Sequence, residues 1–258
     1  MWGRAFAALA LALLAATLAV PAQGEQRQEG DLVVSLDGGI SPLTLPRDRP
    51  GPLSVHLSGG IRTADGSLLP RVTKMEIGLP SQGSLSTRGL PTCSARRVRN
   101  AKPPTALAAC GGALVGRGSL VAKVLMPDQL PLTIHARLLL FNSRERGGRR
   151  AVLLHAFARR PPIVVVVPFV LRHRPGTFGT VLLADLPQAL GPRPRLARFE
   201  MTLHRRYRYR GRTRSYLNAS CPVPPRFTAG FLSLARSTYT LAGGKQLAVE
   251  ITRGCRGR

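Results

Sequence analysis

The sequence predicts an all-β fold made of two duplicated antiparallel β-sandwich-like units, each holding one disulfide. Three observations predict it. Apolar residues alternate with polar ones over many short stretches, 27 glycines and 22 prolines interrupt any helical period, and landmarks of the first half of this 258-residue chain recur in the second.

The elements follow in order. Met1-Trp2-Gly3-Arg4 is a short positive start, and Ala5 to Val20 is an apolar run of 16 residues. Val20-Pro21-Ala22 places small residues at −3 and −1 of a cleavage site, so residues 1–22 read as a secretory signal peptide. No later run is long enough to cross a bilayer as a helix. Leu53, Val55 and Leu57 alternate with Ser54, His56 and Ser58, and Thr73, Met75, Ile77 and Leu79 alternate with Lys74, Glu76 and Gly78. Leu132–Leu140 and Phe199–Leu203 alternate in the same way. Each reads as a half-buried strand. Ile163 to Val167 is continuously apolar and suits a central strand buried on both faces. Asp37-Gly38-Gly39, Asp65-Gly66, Gly147-Gly148 and Gly243-Gly244 read as hairpin-type loops. Leu132–Ala158, with its Ser143–Arg150 loop, reads as a hairpin, and Thr105–Cys110 as one short helical turn.

The repeat has three landmarks at nearly constant offset. Arg49-Pro50-Gly51 recurs as Arg174-Pro175-Gly176, Pro70-Arg71-Val72-Thr73-Lys74-Met75-Glu76-Ile77 as Pro194-Arg195-Leu196-Ala197-Arg198-Phe199-Glu200-Met201, and Cys93 as Cys221. This places a first unit at 31–145 and a second at 150–258, each of ordinary domain size. Each unit owns two of the four cysteines, so the expected pairs are Cys93–Cys110 and Cys221–Cys255. Export makes such bonds persistent. The spacing is wrong for zinc, whose sites want close CxxC-like pairs.

The chain carries 38 basic and 12 acidic residues, a net charge of +26, with the excess concentrated in residues 141–258. There is no P-loop, GxSxG, SxxK, HExxH or calcium-loop motif, and the five histidines are scattered. No metal or cofactor is therefore expected, and no catalytic residue is assigned. Glu76 and Glu200 stand at matching repeat positions. They read either as a shared site or as outward strand residues beside Lys74 and Arg198.

The densest feature is His204–Arg214. Arg206, Arg208, Arg210, Arg212 and Arg214 fall on even positions, with Tyr207 and Tyr209 between. On one extended strand this puts guanidinium groups on one face and phenols on the other, a ladder for phosphates or carboxylates. The competing reading is a solvated edge strand whose charges oppose aggregation. With 34 Arg against 4 Lys, arginine enrichment also matches a GC-rich genome.

Several segments carry a resemblance: Leu45-Pro46-Arg47-Asp48-Arg49-Pro50, Thr87-Arg88-Gly89-Leu90-Pro91-Thr92-Cys93, Ala108-Ala109-Cys110-Gly111-Gly112-Ala113-Leu114-Val115-Gly116, Gly176-Thr177-Phe178-Gly179-Thr180, and Tyr209-Arg210-Gly211-Arg212-Thr213-Arg214-Ser215-Tyr216-Leu217 up to Cys221-Pro222. Across nearly the whole mature chain they resemble a group of uncharacterised secreted proteins of high-GC Gram-positive bacteria. The resemblance implies export and gives no residue a role.

The expectation is a secreted or cell-wall-associated, non-enzymatic interaction protein that binds an anionic cell-wall polymer or other polyanion through the basic strand. A cell-wall or polysaccharide hydrolase, and a purely architectural surface protein, are the alternatives.

Overall fold

The computed structural model describes residues 24–124, 130–145, 147–186 and 194–258. The expected signal peptide lies outside them. The first half supplies strands β1 (Glu25–Glu29), β2 (Leu32–Ser41), β3 (Thr44–Leu45), β4 (Gly51–Pro52), β5 (Ser54–Thr63), β6 (Val72–Leu79), β7 (Gly83–Leu85), β8 (Leu114–Val124) and β9 (Leu132–Arg144). Two helices, α1 (Ala95–Val98) and α2 (Pro103–Cys110), precede β8. The second half supplies β10 (Arg150–Ala158), β11 (Ile163–His173), β12 (Thr180–Asp185), β13 (Pro194–Leu203), β14 (Arg206–Tyr209), β15 (Arg212–Ser215), β16 (Leu217–Ala219), β17 (Ala229–Leu241) and β18 (Gln246–Gly257). The fold is all-β, with two disulfides.

The two halves do not form separate sandwiches. Thirteen strands make one curled sheet in the order β1-β2-β5-β13-β8-β9-β10-β11-β12-β6-β17-β18-β3. Every pairing in it is antiparallel except the short β18–β3 contact. The first half leaves a gap between β5 and β8, and β13 of the second half fills it. The second half leaves a gap between β12 and β17, and β6 of the first half fills it. These two strands carry the repeated Pro-Arg…Glu segments. Their registers match: Glu200 lies opposite Ser58 of β5, and Glu76 lies opposite Leu183 of β12. Each half alone is a single layer, which buries only one apolar face. Closing the curled sheet on itself, with β6 and β13 each lying among strands of the other half, makes one core that holds Val34, Met75, Phe169, Phe199, Tyr239 and Ile251 together.

The long strands read as expected. In β5 the buried apolar side chains are Val55, Leu57 and Ile61, and β6 buries Met75 and Ile77. β9 and β10 are apolar on both faces for a reason. Their inner residues Leu140 and Val152 join the main core, while Leu139, Phe141 and Leu153 point outward under α1 and α2. The Cys93–Cys110 disulfide ties this helical cover down. His155 of β10, fully buried, shares a 2.8 Å hydrogen bond between its Nε2 and the Ala101 carbonyl. Val166 of β11 packs under the same cover, and Val167 faces the core.

One expected loop is strand. Asp37-Gly38-Gly39 lies inside β2. A side chain at Gly38 would meet the His56 carbonyl oxygen at 2.5 Å and Leu57 Cδ2 at 2.7 Å, so glycine here permits a close approach rather than a turn. Gly66, Gly147, Gly148, Gly243 and Gly244 do lie in turns, all with positive φ.

A second, three-stranded sheet, β4-β16-β7, again joins the halves. It covers one end of the interior, where Leu85 and Leu217 lie near Leu79. Toward the other end, where β6 and β13 begin, the core opens into an apolar cavity of about 160 Å³. Beyond it Val124, Ile134 and Ala158 form a small cluster of their own.

Candidate functional site: a basic groove beside a tyrosine-anchored hairpin

β14 and β15 form an isolated hairpin next to the three-stranded sheet. Arg210 and Gly211 make its two-residue turn, both with positive φ (50° and 72°). That is the turn whose twist suits a hairpin. Opposed residues share a face, and here Arg206 opposes Ser215, Tyr207 opposes Arg214, Arg208 opposes Thr213, and Tyr209 opposes Arg212.

The single arginine ladder is therefore corrected. A two-residue turn pairs even positions with odd ones. Arg206 and Arg208 lie on one face, while Arg212 and Arg214 share the other with Tyr207 and Tyr209. Arg210 sits in the turn, its guanidinium carbon 5.4 Å from the centre of the Tyr209 ring.

The tyrosines anchor the hairpin to the segment leading into Cys93. Tyr207 Oη donates to the carbonyl oxygens of Ser86 (3.2 Å) and Arg88 (3.0 Å). The Tyr209 ring lies on Gly89, where any Cβ would stand 2.1 Å from its Cδ2. A groove of about 640 Å³ runs beside the hairpin and is lined by residues from both of its faces. Arg206, Arg212 and Arg214 line it, together with Ser84, Ser86, Thr213 and Asn218. Among the described residues, no carboxylate lines it. Arg214 is half-buried, its guanidinium carbon 5.5 Å from the centre of the Tyr209 ring. Its Nε is shielded from solvent and has no hydrogen-bond partner.

Sequence reading missed Ser84, Ser86 and Asn218. They come from β7, from the residue that follows it and from β16, and only the pairing of β16 with both β7 and β4 brings them beside the arginines. The Arg49-Pro50-Gly51 repeat marked this place, since Gly51–Pro52 is β4.

The other polar groups singled out do not join the groove. Glu76 accepts a 3.2 Å hydrogen bond from Arg174 Nη1. Glu200 Oε1 lies 4.0 Å from His56 Nε2, and His56 Nδ1 is 3.2 Å from Thr202 Oγ1. The two glutamates thus take partners from neighbouring strands and loops rather than Lys74 and Arg198, and each half places its own on the outer face. His56, Glu200 and Thr202 are exposed on adjacent strands, outside the grooves and cavities described. Among the described residues, no three His, Cys, Asp or Glu side chains gather as a metal site. Among them, too, no helix is long and apolar enough to cross a membrane.

The chain matches no protein-family model, no curated protein and no solved structure.

Proposed function

We propose that this is an exported, non-enzymatic interaction protein of the envelope or extracellular space, and that its basic groove holds an anionic polymer. The observation that carries this reading is the convergence of Arg206, Arg212 and Arg214 on one groove without a carboxylate. Arginine forks suit phosphate and carboxylate groups, and the hydroxyl and amide groups of Ser84, Ser86 and Asn218 supply neutral hydrogen bonds beside them. An extended groove with repeated cationic contacts suits a chain of repeated anions. The two disulfides and the N-terminal sequence support export. The matching segments and registers of β6 and β13 support a further reading: the halves are copies of one unit, with β6 and β13 exchanged.

The test is retention on immobilised heparin and on a phosphate-rich wall polymer, read as the salt needed for elution. A net charge of +26 gives retention by itself, so the comparison must be matched in charge. The variant Arg206→Gln, Arg212→Gln, Arg214→Gln is set against Arg96→Gln, Arg97→Gln, Arg99→Gln, which removes three exposed arginines on and beside α1. The groove variant elutes at clearly lower salt than the control variant. Equal elution of the two overturns the groove and leaves only diffuse basic charge, as in an architectural surface protein.

A further inference from the structure

The interior holds a feature that a packed core does not need. The cavity of about 160 Å³ is walled by the two exchanged strands: Val72, Met75 and Ile77 of β6 face it, as do Leu196, Phe199 and Met201 of β13. These are the corresponding positions of the repeated segments, so the repeat itself builds both walls. Protein interiors normally fill such space. Here Leu120, Leu154 and Val165 point inward yet are only half-buried, because the cavity leaves their surfaces uncovered. It also separates the Val124–Ile134–Ala158 cluster from the main core. An apolar cavity of roughly 150 Å³ takes up a benzene-sized guest.

Two further observations define the guest. A smaller void of about 40 Å³ continues toward the three-stranded sheet and shares Ile77, Leu154, Phe169 and Met201 with the first. The two voids lie one after the other along the strands, divided only by these shared side chains, and two methionines on the wall of the larger one adapt easily to an elongated guest. Among the described residues that line it, Arg71 alone carries a charge. Its Nε is shielded from solvent and has no hydrogen-bond partner. Arg195, the matching residue of the repeat, has its Nη1 committed to the Leu69 carbonyl oxygen at 2.6 Å. Arg71 stands at the start of β6, beside the half-buried Leu186 and Leu196. A cationic side chain with an unpartnered Nε at the end of an apolar cavity is complementary to an alkyl chain with an anionic head.

We infer that this cavity binds a single-chain anionic amphiphile, with the chain between β6 and β13 and the head group on Arg71. The site is independent of the basic groove, which follows the other end of β13.

The test is calorimetric titration of the full chain with dodecanoate, dodecyl phosphate and dodecanol, each below its micelle concentration. Dodecanoate or dodecyl phosphate saturates at one per chain, and which of the two binds tighter identifies the head group. Arg71→Ala weakens the anionic ligands about tenfold, the worth of one hydrogen bond to a charged group, and leaves dodecanol unchanged. Ala122→Phe fills the cavity and abolishes binding of all three. If that variant does not fold, Ala156→Phe and the rim variant Arg71→Ala carry the test. The groove variant Arg206→Gln, Arg212→Gln, Arg214→Gln binds dodecanoate like the parent. Absence of saturable one-to-one binding overturns the inference, as does binding that survives cavity filling in a folded variant or that is lost with the groove arginines. Dodecanol binding as tightly as both anions overturns the role of Arg71.

Discussion

Arg253 of β18 reaches across the open seam of the sheet to Asp37 of β2. Its Nη2 donates to the Asp37 carboxylate, and its Nε donates to the Gly38 carbonyl oxygen at 2.7 Å. β2 and β18 are not paired by a backbone ladder. They meet through side chains instead, as where Ile251 lies close over Gly38. Arg253 is largely buried, while Asp37 is about half exposed, so solvent screens part of the attraction. Arg253→Ala is expected to cost about 1–2 kcal/mol, because it also strips the Gly38 carbonyl of a donor. Asp37→Asn should cost less, since the Nε bond to Gly38 remains. Urea unfolding checks both, as a lower midpoint at unchanged slope.

Strand β13 depends on glycines of its neighbours. A Cβ at Gly60 of β5 would stand 2.2 Å from the Ala197 carbonyl oxygen, and one at Gly118 of β8 would stand 2.1 Å from that of Glu200. Both obstacles are backbone, so neither can swing away. Gly60→Ala and Gly118→Ala are each expected to destabilise by about 1–3 kcal/mol through overpacking. Gly39→Ala is the control, because no atom lies within 4 Å of its added methyl. Thermal melting of the three variants separates these cases. A Gly118→Ala protein as stable as the Gly39→Ala protein would show that β13 is held less closely than the register requires.

These relationships mark where sequence reading stops. Alternation located β5, β6, the first part of β9 and β13 because one face of each stretch is buried, and that pattern is local. The Pro70 and Pro194 segments were visible as a repeat, yet nothing local says which ladder either strand joins. Both carry the same apolar set, so both ladders accept both. Asp37-Gly38-Gly39 looks like a turn, because the reason for its glycines, the close packing of His56, Leu57 and Ile251, is distant in sequence. At Tyr207–Arg214 the residue types were informative, but their faces were not. Reading one strand through Arg210-Gly211 put all the even arginines together, whereas the turn reverses the parity. Ser84 and Asn218, from separate strands, carried no signal at all.

The two cystines are expected to differ in what they hold. Cys93–Cys110 closes 17 positions and pins α1 and α2 over Leu139, Phe141 and Leu153. Cys221–Cys255 closes 34 positions and ties the segment after β16 to β18. Chain entropy alone puts their contributions at about 3 and about 4 kcal/mol. Cys93→Ala with Cys110→Ala should also uncover the outer face of β9 and β10. Hydrogen exchange should then accelerate at α1 and α2 and at the backbone amide of Cys93's position, which donates to the Asn142 carbonyl oxygen at 2.9 Å. Exchange in β17 and β18 should change least, and the opposite pattern is expected for Cys221→Ala with Cys255→Ala.

Tyr216 and Tyr239 set the alkaline limit of the fold. Both are buried, and burial pushes each phenol well above its ordinary value of about 10. The Arg150 charge partly opposes the shift at Tyr216. A raised folded-state pKa means that the unfolded chain releases these protons first. Their contribution is therefore complete below about pH 10 and declines as the pH rises above it, through the interval in which only the unfolded phenols ionise. Ultraviolet absorbance should show the tyrosinate signal of Tyr216 and Tyr239 appearing together with loss of the β-sheet circular dichroism. Tyr239→Phe, which keeps the ring and removes the titrating group, should move the alkaline unfolding midpoint upward. Ionisation of both residues in a chain that retains its sheet signal would contradict the burial assigned to them.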